Sequence, residues 1–233
     1  MEFLGIVPAR KNSKRIQSKN FKNIAGKPLI DWTLEAATNS EVFQDIVVST
    51  DSEIELIRLS KFGILDIGVR PKYLSLDSTP TLEVINYSLQ LAEKITNKHY
   101  DAVITLQPTS PLRTAQDIQD SVSLFTRNLQ ADSLVSITSI PHIYYPHKLF
   151  KKENKFVDIK DSFQPSKDDL YFAANGAAIY ISKRELLPQY LLGHNCLGFE
   201  MPRWKSVDID TPEDFIVAEI TLKNFHLFLD SDR

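Results

Sequence analysis

The chain contains very little cysteine. Cys196 is the only cysteine among 233 residues, so the chain cannot form an internal disulfide or hold a metal with several thiolates. We expect no nucleophilic role for Cys196. This cysteine usage is typical of a reduced compartment, and we expect a cytoplasmic protein.

An excess of one charge and a long apolar run are also missing. The 27 Lys and Arg residues nearly balance the 30 Asp and Glu residues, for a net charge of -3, so there is no overall attraction to nucleic acid or to an anionic membrane. No apolar stretch approaches the roughly 20 residues that span a bilayer. The short apolar run 3–9, which follows Glu2, does not have the form of a signal peptide. We therefore expect neither a nucleic-acid partner nor a membrane.

Glycine-rich nucleotide-binding loops are absent as well. The sequence has neither a Walker-type loop nor a G-x-G-x-x-G motif, which disfavours the folds that depend on them. It also lacks the nucleophile-elbow motif that would support a serine hydrolase. With 42% hydrophobic and 24% charged residues, the chain is instead typical of one globular domain with a sizeable core.

What the sequence does contain is an alternation of short apolar runs and longer helical patterns. The runs predict strands at 3–9, 45–50, 101–106 and 133–139, and helical spacing follows at 28–38, 52–62 and 81–95 and from 114 onward. The pattern resumes at 177–181 and 206–209, and Thr211 then opens a last helix. This rhythm predicts an α/β fold with a mostly parallel sheet and helices on both faces. Ligands of such sheets bind at the carboxyl ends of the strands.

The segment 140–170 breaks this rhythm with three prolines and a charged stretch at 151–155. We interpret it as an excursion from the sheet, a small dimerisation arm inserted into the domain. The predicted organisation is an α/β domain made of 1–139 and 171–233, with the arm between the two parts.

A basic loop follows the first predicted strand. Five cationic side chains fall within ten residues, interleaved with hydroxyl and amide groups: Arg10, Lys11, Lys14, Arg15 and Lys19. A loop at a strand end can direct such groups at a polyphosphate, although a charge run of this kind is also compatible with a solvated loop. Its position beyond the first strand favours anion binding.

Asp208 and Asp210 flank Ile209 near the end of the chain. If 206–209 is a strand, its alternation directs both carboxylates to one face and Ile209 into the core. Two carboxylates can hold one Mg²⁺ together with phosphate oxygens. The alternative is that Asp210 caps the last helix while Asp208 pairs with a basic neighbour.

Two further loops are candidates for ligand contacts. Gln107 follows the third predicted strand and can recognise a sugar or base with its amide, whereas Arg113 is expected to hold that loop in place. Asn175 and Gly176 precede an apolar strand, where the glycine permits either a close backbone approach to a ligand or a tight turn.

In combination, these stretches resemble the acylneuraminate cytidylyltransferases, the CMP-sialic acid synthetases. The matching stretches follow one another in order through nearly the whole chain: Pro8-Ala9-Arg10, Ser13-Lys14-Arg15, Lys19-Asn20, 26–30, 48–51, Arg70-Pro71, 106–113, 175–177 and 208–210. The resemblance implies a Rossmann-like fold of the nucleotide-diphospho-sugar transferase type.

The resemblance also implies a reaction and a set of roles. The anomeric hydroxyl of a nine-carbon α-keto acid sugar attacks the α-phosphate of CTP, which gives CMP-sugar and pyrophosphate for cell-surface polysaccharide or lipopolysaccharide synthesis. The catalytic residues implied are Arg10, Lys14, Lys19 and Asp210. The nucleotide-binding residues implied are Arg10, Ser13, Lys19, Asn20, Arg70 and Thr81. Gln107, Asn175, Lys148 and Lys167 are implied to bind the sugar, and Asp208 and Asp210 to hold Mg²⁺. Asp210 is our hypothesis for the group that accepts the hydroxyl proton.

The resemblance further implies a homodimer in which Lys148 reaches the partner's site. The chain departs from the family pattern just before Asn175, where it has Lys167 followed by Asp168 and Asp169. A lysine there provides a point charge but no bidentate fork, and the two acids disfavour an anionic sugar. Legionaminic acid is therefore as acceptable a substrate as N-acetylneuraminic acid.

Three alternatives to this function follow from the sequence. The first is a cytidylyltransferase for 3-deoxy-manno-octulosonate, whose opening loop and central motif match less well. The second is a non-catalytic nucleotide-binding module on the same fold. The third is an assembly protein that uses the arm only for contacts and binds no CTP.

Overall fold

A computed structural model describes residues 1–145, 151–153, 156–158, 170–176 and 178–229 of the chain. The strands are β1 Phe3–Pro8, β2 Asn23–Ile24, β3 Lys27–Pro28, β4 Asp45–Ser49, β5 Ala102–Thr105, β6 Ser133–Ser139, β7 Lys151–Glu153, β8 Phe156–Asp158, β9 Phe172–Ala174, β10 Tyr180–Lys183 and β11 Cys196–Glu200. The helices are α1 Leu29–Ser40, α2 Glu53–Leu59, α3 Thr81–Thr96, α4 Ala115–Arg127, α5 Pro212–Lys223 and α6 Phe225–Leu229.

The central sheet has seven strands, with the order β11-β6-β10-β5-β1-β4 and β9 paired to β6. Strands β1, β4, β5, β6 and β11 run in one direction, whereas β9 and β10 run antiparallel to their neighbours. The predicted mostly parallel sheet is therefore confirmed. Both β9 and β10 pair with β6, and the connection 175–179 lies between these two pairings.

The sheet is covered by helices on both faces, as predicted. In β1, Phe3 and Val7 pack into one core with residues of α1 and α4, whereas Leu4 and Ile6 pack into a second core with residues of α3. This division follows from the pleat, which turns successive side chains to opposite faces. Burial on both faces explains why β1 has no polar alternation.

A third, smaller core joins the beginning of the chain to its end. It combines Ile16 of the basic loop and Leu29 of α1 with Ile209, Phe215 and Leu222 near the carboxyl terminus. Ile209 is fully buried, and its N–H donates to the carbonyl of Thr109 over 2.9 Å. This core holds the basic loop beside the segment that contains Asp208 and Asp210.

The prediction of a strand at 206–209 is wrong. These residues form a loop between a 3₁₀ turn at Arg203–Lys205 and α5. The alternation of Val207 and Ile209 with polar residues is satisfied by the small core instead of by a strand ladder. The strand predicted at 177–181 is present but shifted, since β10 begins at Tyr180.

The described parts of segment 140–170 include one small hairpin, in which β7 pairs antiparallel with β8. Lys148 and Lys167 lie outside the described residues, so the two sugar contacts assigned to the arm stay predictions. Among the described residues, no helix combines the length and apolarity needed to cross a membrane.

Candidate active site

A cleft of about 480 Å³ opens at the carboxyl ends of β1 and β5. Its walls come from the basic loop, from segment 70–84, from residues 107–109 and from Asp210. The predicted site residues that line it are Arg10, Ser13, Lys14, Lys19, Asn20, Arg70, Thr81, Gln107 and Asp210. The loops after the first and third predicted strands therefore meet at one edge of the sheet, as the fold class requires.

The basic loop is closed on itself at its base. Asn20 is buried, and its side-chain amide donates to the carbonyl of Arg10 over 3.0 Å. The N–H of Lys11 donates to the carboxylate of Asp51 over 2.6 Å. These two bonds join the first and last turns of the loop and fix it against the end of β4, so that its cations face the cleft.

Asp77 provides the counter-charge on one side of the cleft. Arg10 lies 2.5 Å and Lys14 2.6 Å from its two carboxylate oxygens. Hydrogen bonds from Lys14 and Arg10 lower the pKa of Asp77 below its ordinary range. No motif in the sequence marks this residue, although it lies between Arg70 and Thr81, which were both predicted to bind the nucleotide.

Asp210 provides the counter-charge on the opposite side. It lies 3.2 Å from the ammonium group of Lys19 and 3.4 Å from the guanidinium of Arg15. The Lys19 ammonium group also donates to the carbonyl of Ile209 over 2.5 Å, and its side chain is only 13% exposed. The basic loop and Asp210 therefore form two sides of the same cleft, whereas Asp208, the other predicted metal ligand, is not among the residues that line it.

Asp208 is the more buried of the two acids. Burial raises its pKa, and the negative charge of Asp210 adds to this increase, whereas a hydrogen bond with Thr109 and the charge of Lys19 oppose it. Within the described residues it has no ion-pair partner closer than 4.0 Å. A half-buried carboxylate beside a second carboxylate, with no cationic side chain of its own, is a chemically suitable ligand for a divalent cation.

A third protein carboxylate is not part of this arrangement. Across the described part of the chain, no group of three or more His, Cys, Asp or Glu side chains converges on a possible metal position. Mg²⁺ does not require such a cage, because it takes one or two carboxylates and completes its shell with substrate phosphates and water. Asp208 and Asp210 fit that pattern.

The wall opposite the acids contains Arg70, which is 5% exposed. Its N–H donates to the carbonyl of Thr50 over 2.7 Å, and its Nε donates to the hydroxyl of Ser75 over 3.3 Å. Burial lowers the pKa of Arg70 from its ordinary value. Thr81 is the first residue of α3, so the positive end of this helix also faces the cleft.

The loop that carries Gln107 is fixed from below by Arg113. The guanidinium of Arg113 is 3% exposed and donates to the carbonyls of Ala178 and Gln107 over 2.5 and 3.4 Å. Burial lowers the pKa of this side chain to about 9. The prediction that Arg113 holds this loop in place is confirmed.

Asn175 is the one described candidate for sugar binding that does not line the cleft. It is 3% exposed, and its side-chain amide already bonds to Ser136, Ser206 and Met201. Gly176 lies against Asp208 instead of against an open space for a ligand. The structure therefore connects Asn175 and Gly176 to the acidic pair.

Comparison with known proteins agrees with this geometry. The family model described as "Cytidylyltransferase" matches residues 4–230. An N-acylneuraminate cytidylyltransferase of Escherichia coli is 29% identical over 223 residues, which is 93% of this chain but 51% of that protein. The chain thus spans about half the length of this relative.

Other relatives match over nearly their whole length. A pseudaminic acid cytidylyltransferase of Campylobacter jejuni is 32% identical over 234 residues, covering 97% of this chain and 98% of that protein. A CMP-N,N'-diacetyllegionaminic acid synthase of Legionella pneumophila is 29% identical over 239 residues, with 94% and 95% covered.

A solved structure shows the same fold. The structure of CMP:2-keto-3-deoxy-manno-octonic acid synthetase complexed with CTP has a TM-score of 0.71 and 17% identity, covering 96% of this chain and 99% of that one. With a family model that matches almost every residue and a full-length relative above 30% identity, this chain belongs to the cytidylyltransferase family.

Proposed function

We propose that this chain is a CTP-dependent nucleotidyltransferase that activates a nine-carbon α-keto acid sugar as its CMP derivative and releases pyrophosphate. The observation that carries the proposal is the contact of Lys19 with Asp210 across a cleft of nucleotide size. It supports the proposal because the cations that we assign to the phosphates contact one of the two carboxylates that we assign to the metal. Sequence relatives named for sialic, pseudaminic and legionaminic acids support the class of sugar.

The chemical step requires one bond to form and one to break. The anomeric hydroxyl oxygen of the sugar attacks the α-phosphorus of CTP, and the bond from that phosphorus to the bridging oxygen of the β-phosphate breaks. Arg10, Lys14 and Lys19 hold the triphosphate and neutralise the charge that develops on the leaving pyrophosphate. Asp210, which is exposed on the wall of the cleft, accepts the hydroxyl proton.

Asp208 and Asp210 are the residues that would hold Mg²⁺. The ion supplies charge neutralisation on the phosphates and polarises the reacting phosphoryl group. The protein contributes the ligand positions, because the Ile209 side chain and backbone fix both acids from the small core.

The nucleoside binds on the wall formed by Asn20, Arg70 and Thr81, with Ser13 beside the phosphates. In this proposal the sugar approaches from the side of Gln107, and Lys167 together with the partner's Lys148 completes its site. We propose N-acetylneuraminic or legionaminic acid as the sugar. Pseudaminic acid is a further candidate, because a relative named for it matches at 32% identity over nearly its whole length.

The assembly and setting are part of the same proposal. The chain acts as a cytoplasmic homodimer, in which the arm at 140–170 reaches the partner, and its product is used for cell-surface polysaccharide synthesis. Exposed apolar side chains close to the arm, Ile143, Tyr144 and Phe172, support a protein contact there. Light scattering tests the dimer directly, and a monomer at micromolar concentration would contradict it.

Pyrophosphate release tests the activity. The purified chain is incubated with CTP, Mg²⁺ and, in parallel, N-acetylneuraminic, legionaminic, pseudaminic and 3-deoxy-manno-octulosonic acids. We expect release with a nine-carbon acid, no release with ATP in place of CTP, and loss of activity with EDTA that Mg²⁺ restores. Lys19→Ala should lower kcat by about 100-fold or more, whereas Lys223→Ala, which removes a surface pair with Glu219, should not.

The other outcomes distinguish the alternatives. Release with 3-deoxy-manno-octulosonate alone would assign the chain to that related reaction. Binding of CTP in calorimetry without release from any of the four acids would leave a nucleotide-binding module. The absence of CTP binding would leave the assembly protein.

A further inference from the structure

Asn175 is bonded as a structural residue and not as a ligand-binding residue. The hydroxyl of Ser136 on β6 donates to its amide oxygen over 2.6 Å, and its backbone N–H donates to the carbonyl of Ser136 over 3.3 Å. Ser136 in turn accepts from the N–H of Ile179 over 2.9 Å. The short connection between β9 and β10 is therefore joined to the centre of the sheet.

The other end of the same amide holds the loop that leads to the acidic pair. Its NH₂ group donates to the hydroxyl of Ser206 over 3.1 Å and contacts the sulfur of Met201 at 3.3 Å. Ser206 lies two residues before Asp208, and its own hydroxyl donates to the carbonyl of Pro202 over 3.0 Å. Asn175 thus connects a fixed strand to the segment that positions Asp208.

Gly176 is part of the same arrangement, because the absence of a side chain leaves space for Asp208. Its φ of +69° lies in the left-handed region that favours glycine. A Cβ built at this position would lie 2.6 Å from Oδ2 of Asp208 and would also overlap its Cβ and Cγ atoms. A side chain at 176 would therefore displace the Asp208 carboxylate from its present position.

We propose that Asn175 and Gly176 are positioning residues for the Asp208 carboxylate: the Asn175 amide fixes the loop that carries it, and the backbone of Gly176 sets its place. They act on the metal ligand, and neither contacts the sugar. This inference rests on the proposed function, because it requires Asp208 to bind a divalent cation. Residues that hold a metal ligand in place typically change metal affinity by about 10–100-fold when they are removed.

Mn²⁺ binding measured by electron paramagnetic resonance, with CTP present and sugar absent, tests the inference without turnover. Gly176→Ala should lower Mn²⁺ affinity by about 10-fold or more. The matched control is Gly63→Ala, since Gly63 has nearly the same φ of +68° but no atom within 4 Å of the point that a Cβ would occupy. Both variants place an alanine in the left-handed region of φ, so both should lose thermal stability. Only Gly176→Ala should also lose affinity for Mn²⁺.

Asn175→Ala provides the second variant. Ser206→Ala tests whether Asn175 acts through its hydrogen bond to Ser206. Each should weaken Mn²⁺ binding, and the double variant should weaken it by less than the product of the two effects, because both remove the same bond. Excess metal should restore kcat for Asn175→Ala with the KM for the sugar unchanged. Asn86→Ala, which removes an amide bond to the carbonyl of Leu187 away from the acids, serves as the control for the loss of a buried amide.

The results separate the two proposals. If wild type shows no Mn²⁺ binding in the presence of CTP, or if Asp208→Asn binds it equally well, the metal role and the proposed function fail. If Asp208→Asn abolishes binding but Gly176→Ala and Asn175→Ala bind Mn²⁺ like Gly63→Ala and Asn86→Ala, only the positioning role is overturned. A raised KM for the sugar in Asn175→Ala, with unchanged Mn²⁺ affinity, would return Asn175 to the sugar site.

Discussion

Four cations of the basic loop share two carboxylates, one on each side of the cleft. Arg10 and Lys14 contact Asp77, whereas Arg15 and Lys19 contact Asp210. Each of these carboxylates forms an ion pair with at least one cation that we assign to substrate phosphates. The phosphates must therefore compete with side chains of the protein for the same donors.

Asp77→Asn should increase the affinity for inorganic pyrophosphate. The substitution removes one unit of negative charge beside Arg10 and Lys14, so both cations become available to the anion. Calorimetry with pyrophosphate measures the change. Asp120→Asn, on the exposed face of α4, controls for net charge, and weaker binding by Asp77→Asn would show that Asp77 orders the loop instead of competing for it.

Asp208→Asn should stabilise the protein in the absence of metal and nucleotide. At neutral pH the half-buried carboxylate lies beside Asp210 and forms no salt bridge with any described residue, and an amide removes the cost of burying that charge. Thermal unfolding at pH 7 should show a higher Tm for the variant. With Mg²⁺ and CTP added the order should reverse, and a higher Tm for the variant in both conditions would contradict the metal role.

The role of Asn175 illustrates what single residues reveal in a sequence. Its residue type and the glycine that follows it indicated a special backbone position, and the structure has such a position at Gly176. Its partners Ser136 and Ser206 are 39 and 31 residues away, and no local pattern identifies such distant hydrogen bonds. Asp77 was missed for the same reason, since its significance depends on the fold of the basic loop.

At the scale of elements, the buried parallel strands were the most predictable. β1 and β5 are buried along almost their whole length, β4 is buried from Val47 onward, and each of the three contains a continuous apolar run. The strand predicted at 206–209 failed because a loop packed on a small core produces the same alternation as a strand. β9 and β11 were not predicted, since β9 is exposed along its length and β11 is exposed at alternate residues.

An ion pair between elements should give a measurable pH dependence of stability. Arg184, next to β10, forms two bonds of 2.7 and 3.0 Å with Glu93 of α3. This hydrogen bonding lowers the pKa of Glu93 below its ordinary value of 4.5. The folded state therefore binds fewer protons than the unfolded state, so the contribution is present above pH 4.5 and is lost as the pH falls through the folded pKa.

Glu93→Gln should accordingly reduce the free energy of unfolding at pH 7 by about 1 kcal/mol. The difference from wild type should shrink as the pH falls below 4.5 and through the lowered pKa of Glu93. Urea unfolding at several pH values measures it. Glu185→Gln, an exposed neighbour of the pair, should change stability little at any pH, and a constant loss for Glu93→Gln across the range would rule out the ion pair as its cause.

At the scale of the whole molecule, the site depends on segments from both ends of the chain. Composition and periodicity indicated the sheet but could not show that the basic loop meets the acidic pair. The ordered resemblance to a family did indicate this, because it carried the information that both segments act on one substrate. The physical cause is the small core of Ile16, Ile209 and Phe215, which joins the two segments.

Ligand binding in a cleft built from both ends should stabilise the whole fold. A ligand at 100 times its Kd adds about 2.7 kcal/mol to the free energy of unfolding. For a chain of this size each 1 kcal/mol raises Tm by about 2–4 °C, so CTP with Mg²⁺ should raise it by about 5–10 °C. Scanning fluorimetry with ATP and Mg²⁺ is the control, and an equal rise with ATP would contradict selection of the cytosine base.

The contact of Lys19 with Asp210 joins residues that are 191 positions apart. During translation at about 5–20 residues per second, the basic loop leaves the ribosome about 10–40 s before the acids that complete the cleft. A nascent chain therefore carries an exposed polycation for most of its synthesis and acquires a nucleotide pocket only at the end. Translation products that end before residue 210 would lack Asp210 and also Phe215 and Leu222, the residues of the small core that hold the basic loop beside the cleft.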